Sequence, residues 1–278
     1  MNPEGYETLE LERFGSVLRV TLNRPERRNA LSVELMEELL DLISKVEADA
    51  GTRVLVLRGA GKSFCSGYDI AGAAPVEGET PPSPIAKAQE VRADSRIFDR
   101  LWRLPILTIA QVHGACLAAG TDLALHCDLI ICADDARIGY PAVRSMGAPA
   151  THMWLYQLGP QWTKRLLLSG DSVTGAKAVE IGFALEALAA EALDEHVLRQ
   201  ATRISSIPRD LLTVNKHVIN RGLDLMGRTL LQETAVMQDI LGRQASGTEE
   251  FVETAMREGL KQAFAQRDAP FADGDPIE

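Results

Sequence analysis

An α/β fold is expected from this sequence on three grounds. Near the N-terminus a patterned helix separates two strand-like runs, the order of a crossover unit. Residues 54–57, Val-Leu-Val-Leu, form an unbroken apolar run, as in a strand covered on both faces. The last third of the chain is patterned for helices almost throughout.

Taken in order, residues 9–12 and 17–23 read as short strands around Phe14-Gly15-Ser16. The second alternates apolar and polar residues through Arg19 and Thr21, and Arg24-Pro25 stops it. Ser32 can cap a helix running to about Ala50, with Leu35, Leu39, Ile43 and Val46 on one face and Gly51 as its end. Residues 71–85, rich in Pro, Gly and Ala, read as a mobile loop. Residues 87–104 follow as a helix. Residues 106–112 and 128–132 read as buried strands, with a helix over 117–126 between them and a short strand at 137–139. Helices are expected over 153–158, 164–168, 175–181, 191–205, 211–221, 225–241 and 252–267. The acidic end, 272–278, is expected to fray. Residues 1–205 are expected to form the core, and residues 206–278 a helical region suited to self-assembly.

Composition narrows the function. The 278 residues are 46% hydrophobic and 24% charged, ordinary for a globular chain. The net charge of −10 argues against nucleic-acid backbones as the main partner. Cys65, Cys116, Cys127 and Cys132 make no CxxC pair and no zinc pattern, so reduced thiols in a cytoplasmic protein are expected. The first twelve residues carry four Glu and no signal-like apolar stretch. No apolar run reaches the roughly 18 residues of a membrane span.

Two phosphate-binding patterns fail on single residues. Gly61-Lys62-Ser63 follows a strand, but a P-loop needs glycine where Val56 stands. Gly114 begins a glycine-containing turn, but Cys116 occupies the place of the second glycine of GxGxxG. Two other segments share a design. Residues 64–70, Phe-Cys-Ser-Gly-Tyr-Asp-Ile, and 113–120, His-Gly-Ala-Cys-Leu-Ala-Ala-Gly, each carry a strand into a turn of small residues. Such turns let backbone approach a ligand closely. Two N–H groups converging from them would make an oxyanion hole. The same glycines also serve a tight turn alone.

These segments, in this order, identify a resemblance to the crotonase superfamily, which includes enoyl-CoA hydratases and isomerases. Asn23-Arg24-Pro25 with Asn29-Ala30-Leu31-Ser32 resembles its early signature. Residues 63–70 resemble its first oxyanion turn, and 112–128 its second. The resemblance spans about residues 6–271. It implies a spiral of βαβ-type turns with a helical C-terminal trimerisation region, in a homotrimer or a dimer of trimers. It implies CoA thioesters as substrates, with no metal or redox cofactor. The Tyr68 and Ala119 N–H groups would hold the thioester carbonyl. Arg28 and Ala30, with Ser66 and Ile70 of the first turn, fall at substrate-binding positions. Arg28 would pair with a CoA phosphate or stand solvated. Phe264 and Arg267 would reach the CoA of a neighbouring subunit.

The chemistry departs from the hydratase pattern. Hydratases of the family use two Glu residues. The first falls at Asp122, one methylene shorter. The second falls at Ala142, in the turn Ile138-Gly139-Tyr140-Pro141-Ala142. A further acid station used by dienoyl-CoA isomerases and chlorobenzoyl-CoA dehalogenases falls at Ala150. Alanine transfers no proton. Asp122 is therefore the leading acid or base, or else a structural carboxylate. Tyr140 is a hydrogen-bond donor or a pocket wall. Arg144 is a partner for an acyl carboxylate or for Asp122, or an interface residue. His152 is a neutral-range titrating group or a helix-start residue. His113 fits a turn, and nothing near Cys65 promises a lowered thiol pKa.

Overall fold

The computed structural model describes residues 5–70, 83–271 and 275–278. One winding path of the chain builds two sheets. The larger contains β1 (Leu9–Phe14), β2 (Val17–Leu22), β3 (Val54–Gly59), β5 (Leu107–Val112), β7 (Leu129–Ala133) and β10 (Glu186–Leu188), in that spatial order. The smaller contains β4 (Ser63–Cys65), β6 (Ala115–Leu117), β8 (Arg137–Gly139) and β9 (Ser172–Thr174). All neighbours pair in parallel except β1 with β2 and β8 with β9. After β3, β5 and β7 the chain turns within a few residues into β4, β6 and β8. Each coil of the spiral thus adds one strand to each sheet. The turn after β5 demands glycine: Gly114 has φ +54°, and a Cβ there would lie 1.9 Å from the Lys62 carbonyl oxygen.

Helix α1 (Val33–Ala48) begins where Ser32 accepts the Leu35 N–H and buries Leu35, Leu39, Leu42, Ile43 and Val46. Each such side chain contributes about 1.5–3 kcal/mol of burial. The helix stops at Asp49 rather than at Gly51, because the Asp49 carboxylate accepts the Gly51 N–H at 2.9 Å. Helix α2 (Pro84–Arg103) starts earlier than the pattern suggests, since Ser83 caps it and Pro84 suits its first turn. Most of the loop expected over 71–85 falls on residues 71–82, outside the described residues. The expected polar face of β2 is also corrected. All six of its residues are buried, and Arg19 is held by Asp194 of α6 (Ala190–Ile204) at 3.1 Å and by Glu12 of β1 at 2.8 Å.

The helical last third differs from its pattern where glycine breaks it. Helix α4 (Trp154–Ser169) joins two expected helices across a kink at Gly159, φ 68°, before Pro160. Helix α5 (Gly175–Glu180) follows. Helices α7 (Arg209–Leu225) and α8 (Arg228–Gly242) part at Gly227, φ 94°. Helices α9 (Ser246–Glu258) and α10 (Leu260–Asp268) part at Gly259, φ 87°. The chain end does not fray at Ile277. Its N–H donates to Ser172 O at 2.8 Å and its carbonyl accepts the Thr174 N–H at 3.0 Å, so it pairs beside β9. Strands β4, β6, β9 and β10, three residues each, escape pattern reading, whereas the equally short β8 matches the strand expected at 137–139.

Candidate active site

The two small-residue turns meet at the ends of β4 and β6. Leu31 donates its N–H to Gly67 O at 2.8 Å and accepts the Asp69 N–H at 3.0 Å. That bridge turns the Tyr68 N–H to the opposite side, where it meets no backbone acceptor among the described residues. Opposite stands helix α3 (Ala119–Leu125). Ala119 is its first residue, so its N–H has no acceptor inside the helix. The contact is close: a Cβ on Gly67 would lie 2.8 Å from Ala118 Cβ and 3.2 Å from Ala119 N. Only glycine lets the turns approach this far.

Ala118, before α3, has φ 49° and ψ −129°. An L-residue pays about 1–2 kcal/mol there, which glycine avoids. Ala118→Gly is expected to stabilise the chain by roughly 0.5–1 kcal/mol after the extra unfolded-state entropy of glycine. A urea midpoint at or below wild type would show that the Ala118 methyl contributes more by packing than its backbone costs.

The early signature pins the first turn. Asn29 is fully buried with φ 53°. Its side chain accepts the Arg24 N–H and donates to Ala60 O and Ser63 O at 2.9 and 2.8 Å. Arg24 donates to Ala30 O at 2.6 Å and ion-pairs with Asp69 at 2.8 Å. Ser66 donates its N–H to Arg28 O at 3.1 Å. Arg28 is thus joined to Ser66, and Ala30 adjoins the bridge between Leu31 and Tyr68. Arg28 is exposed, whereas Ala30 is buried.

Asp122 lies one turn into α3 and is only 2% exposed. The Thr151 hydroxyl donates to its Oδ1. The Tyr140 hydroxyl faces the same carboxyl, and its ring packs edge-on against Trp154 at 6.5 Å. Burial pushes the Asp122 carboxyl up to about 7, against the lowering effect of the two hydroxyls. A carboxyl so placed both donates and accepts a proton near neutrality. Burial, and next the charge of Asp94, hold the Tyr68 hydroxyl well above its ordinary range. Burial, and next the charge of Asp122, do the same for Tyr140. Ala142 is half-buried in the 3-10 turn after Tyr140.

Other candidates are engaged elsewhere. Arg144 does not serve Asp122. It donates to Ser169 O at 2.9 Å, ion-pairs with Asp171 and Asp268, and stacks on the Phe271 ring at 3.8 Å. Phe264 packs on Phe251 at 5.4 Å, and Arg267 stacks on Phe264 at 4.8 Å and ion-pairs with Asp268, all within the α9–α10 region. His152 has φ 48°, and burial lowers its imidazole pKa. His113 bonds the Gly61 carbonyl at 3.0 Å, as a turn residue does. Burial pushes the Cys65 thiol up to about 12, which leaves it inert. Among the described residues no group of three or more His, Cys, Asp or Glu is placed to hold a metal. Among them, too, no helix is long and apolar enough to cross a membrane.

Sequence reasoning missed three groups. Thr151 orients Asp122. His126 donates from Nδ1 to the Asp122 carbonyl at 2.7 Å, and burial lowers its imidazole to about 4. Asp239 of α8 is buried nearby. An acid inside the apolar stripe Val236–Ile240 was the signal for the last.

A spiral of paired strands with two abutting turns and a helical C-terminal region defines a crotonase-type α/β protein. The profile of the enoyl-CoA hydratase/isomerase family matches residues 12–263, and the chain belongs to that family. The fold matches an enoyl-CoA hydratase structure from Mycobacterium smegmatis with a TM-score of 0.91 and 34% identity, covering 99% of this chain and 98% of that one. It also matches an enoyl-CoA hydratase/isomerase from Xanthobacter autotrophicus Py2 with a TM-score of 0.89 and 34% identity, covering 96% and 99%. A Mycobacterium tuberculosis protein named for enoyl-CoA hydratase is 32% identical over 80% of this chain and 74% of its own length.

Proposed function

We propose that this chain binds acyl-CoA thioesters and stabilises their enolates, with Asp122 as the one carboxyl that moves a proton. The observation that supports this most is the contact of the two turns beside a buried, proton-retaining Asp122. The Tyr68 and Ala119 N–H groups receive the thioester oxygen as negative charge develops on it. Arg28 meets a CoA phosphate, and Ala30, Ser66 and Ile70 border the bound thioester. Asp122 then takes a proton from one carbon and returns it to another. One carboxyl suffices for that exchange. Hydration needs water activation and protonation at two places, and Ala142 supplies neither. The reading therefore favours double-bond migration, decarboxylation or slow hydration over fast hydration. No resident cofactor enters these steps.

The alanines at 142 and 150 favour a second reading, an acyl-CoA-binding protein with weak catalysis or none. A thioesterase using Asp122 or His152 is a third. Incubating the protein with crotonyl-CoA and a longer trans-2-enoyl-CoA separates them. Loss of the conjugated-thioester absorbance, abolished in Asp122→Ala, supports the first. Tight binding without turnover supports the second. Release of free CoA thiol supports the third.

The same reading makes residues 1–205 the core that holds the thioester and residues 206–278 the assembly region of a homotrimer or dimer of trimers. Helix α7 buries no residue fully, and Val218 and Ile219 are 71% and 66% exposed. Leu225 and Leu230 continue this apolar surface. Such a patch suits a subunit contact. Phe264 and Arg267 are assigned to CoA held by a neighbouring subunit. Light scattering is expected to give a multiple of the 30.3 kDa chain, and Val218→Asp to shift it downward. A sharp monomer at micromolar concentration would sink the assembly reading.

A further inference from the structure

We propose that Asp239, on α8, is a positioning residue for Asp122: it holds the 147–151 segment, and with it the Thr151 hydroxyl, against that carboxyl. This rests on the role given to Asp122 above. Asp239 is 1% exposed and stands between the buried Val236 and Ile240, at an inward position of its helix. A carboxylate there is costly unless partners hold it. Two do. The Ala148 N–H donates to its Oδ1 at 3.1 Å, and Arg243 Nε donates to its Oδ2 at 2.8 Å.

The packing around these bonds is tight. A Cβ on Gly147 would lie 2.3 Å from Asp239 Oδ1, and a Cβ on Gly242 would lie 3.1 Å from Gly147 Cα. Helix and segment meet with a glycine on each side. Ala150 then packs against Ala88 and Val91 of α2 and Val236 and Ile240 of α8. The next residue is Thr151, bonded to Asp122. Helix α8 thus braces the segment at Gly147, Ala148 and Ala150 in succession, and the Thr151 hydroxyl is what that bracing aims. A helix from the C-terminal region thereby acts on the proton-moving group of its own chain.

The charges fit this arrangement. Burial pushes both carboxyls up, but the Arg243 guanidinium and the Ala148 N–H pull Asp239 back down. Asp122 has only the Thr151 and Tyr140 hydroxyls for that purpose. The other groups around the pair are Tyr68, Asp94 and Lys87 of α2, Arg243 of α8 and the neutral His126. Unlike surroundings push two proton affinities apart. Negative charge on Asp239 adds to burial in keeping the proton on Asp122.

The test compares Asp239→Asn, Asp239→Ala and Thr151→Val in the full chain. Infrared difference spectra against Asp122→Asn follow the protonated Asp122 carboxyl as pH changes, with no need for turnover. In Asp239→Asn, which keeps an acceptor for Ala148, the midpoint is expected to fall by about half a unit or more. With an acyl-CoA that wild type converts, Asp239→Ala is expected to lower kcat by about 10- to 100-fold with KM little changed. Thr151→Val is expected to cost less in that background than alone. Wild-type kcat in folded Asp239→Ala, which removes the acceptor for Ala148, overturns the proposal. Should the alanine variant fail to fold, Thr151→Val decides it, and an Asp122 midpoint there equal to wild type overturns the proposal. Absence of turnover with every acyl-CoA would instead overturn the proposed reaction, and the infrared titration would stand apart from it.

Discussion

Asp122→Asn is expected to lower kcat/KM by about 10²- to 10⁴-fold, the range for loss of one positioned acid–base group. Asparagine keeps the shape and an oxygen for the Thr151 hydroxyl, but it transfers no proton. The same variant should change stability in a pH-dependent way. The folded carboxyl keeps its proton up to about 7, while the unfolded chain releases it near its ordinary value of 3.8. Between those values the folded state binds more protons, so Asp122 makes wild-type stability fall as pH rises. The fall is complete above the folded value and amounts to a few kcal/mol in order of magnitude. Asparagine does not titrate. Denaturant midpoints should therefore favour the variant more at pH 8 than at pH 4. Wild-type kinetics in Asp122→Asn would remove Asp122 from the reaction. A pH-independent difference in midpoint would remove the raised carboxyl.

Much of the fold was legible because its signals are local. The Ser32 cap, the apolar face of α1 and the continuous run in β3 each need only neighbours in sequence. The two turns were legible because small residues cluster where backbones must touch, at Gly67 and at Gly114 to Gly120. Polar partners across long separations were not. Arg19 looked like the polar face of β2 because Asp194, which covers it, lies in α6. Arg144 looked like a ligand group because Asp171 and Asp268, which occupy it, come much later in the chain. Asp122 was found through the family resemblance, which places an acid just after the second turn. Thr151 was not, since a threonine beside Ala150 says nothing until the fold brings it to α3. Strands β4, β6, β9 and β10 were not read, because alternation gives little signal over three residues.

Ala119→Pro is expected to cost about 10²- to 10³-fold in kcat, the size of effect for one lost oxyanion donor. Proline is suited to the first position of a helix, where the N–H has no partner inside it. Loss of α3 is therefore not the main effect. The ring does remove the N–H, and its Cδ projects from the Ala119 nitrogen. That nitrogen is 3.2 Å from the space above Gly67, so the ring also enters the gap between the turns. Ala119→Gly separates these effects from the methyl group. It restores the N–H with no side chain and is expected to keep kcat within about 3-fold of wild type. Because the oxygen carries more charge in the enolate than in the bound thioester, Ala119→Pro should lower kcat more than it raises the dissociation constant of the unreacted thioester. Calorimetry with a saturated acyl-CoA measures the second quantity. Unchanged turnover in a folded Ala119→Pro would place the thioester oxygen elsewhere. Equal losses in binding and turnover would mean that the two turns hold the acyl group without distinguishing thioester from enolate. Turnover lost with binding kept is the outcome that assigns the Tyr68 and Ala119 amides to the developing charge.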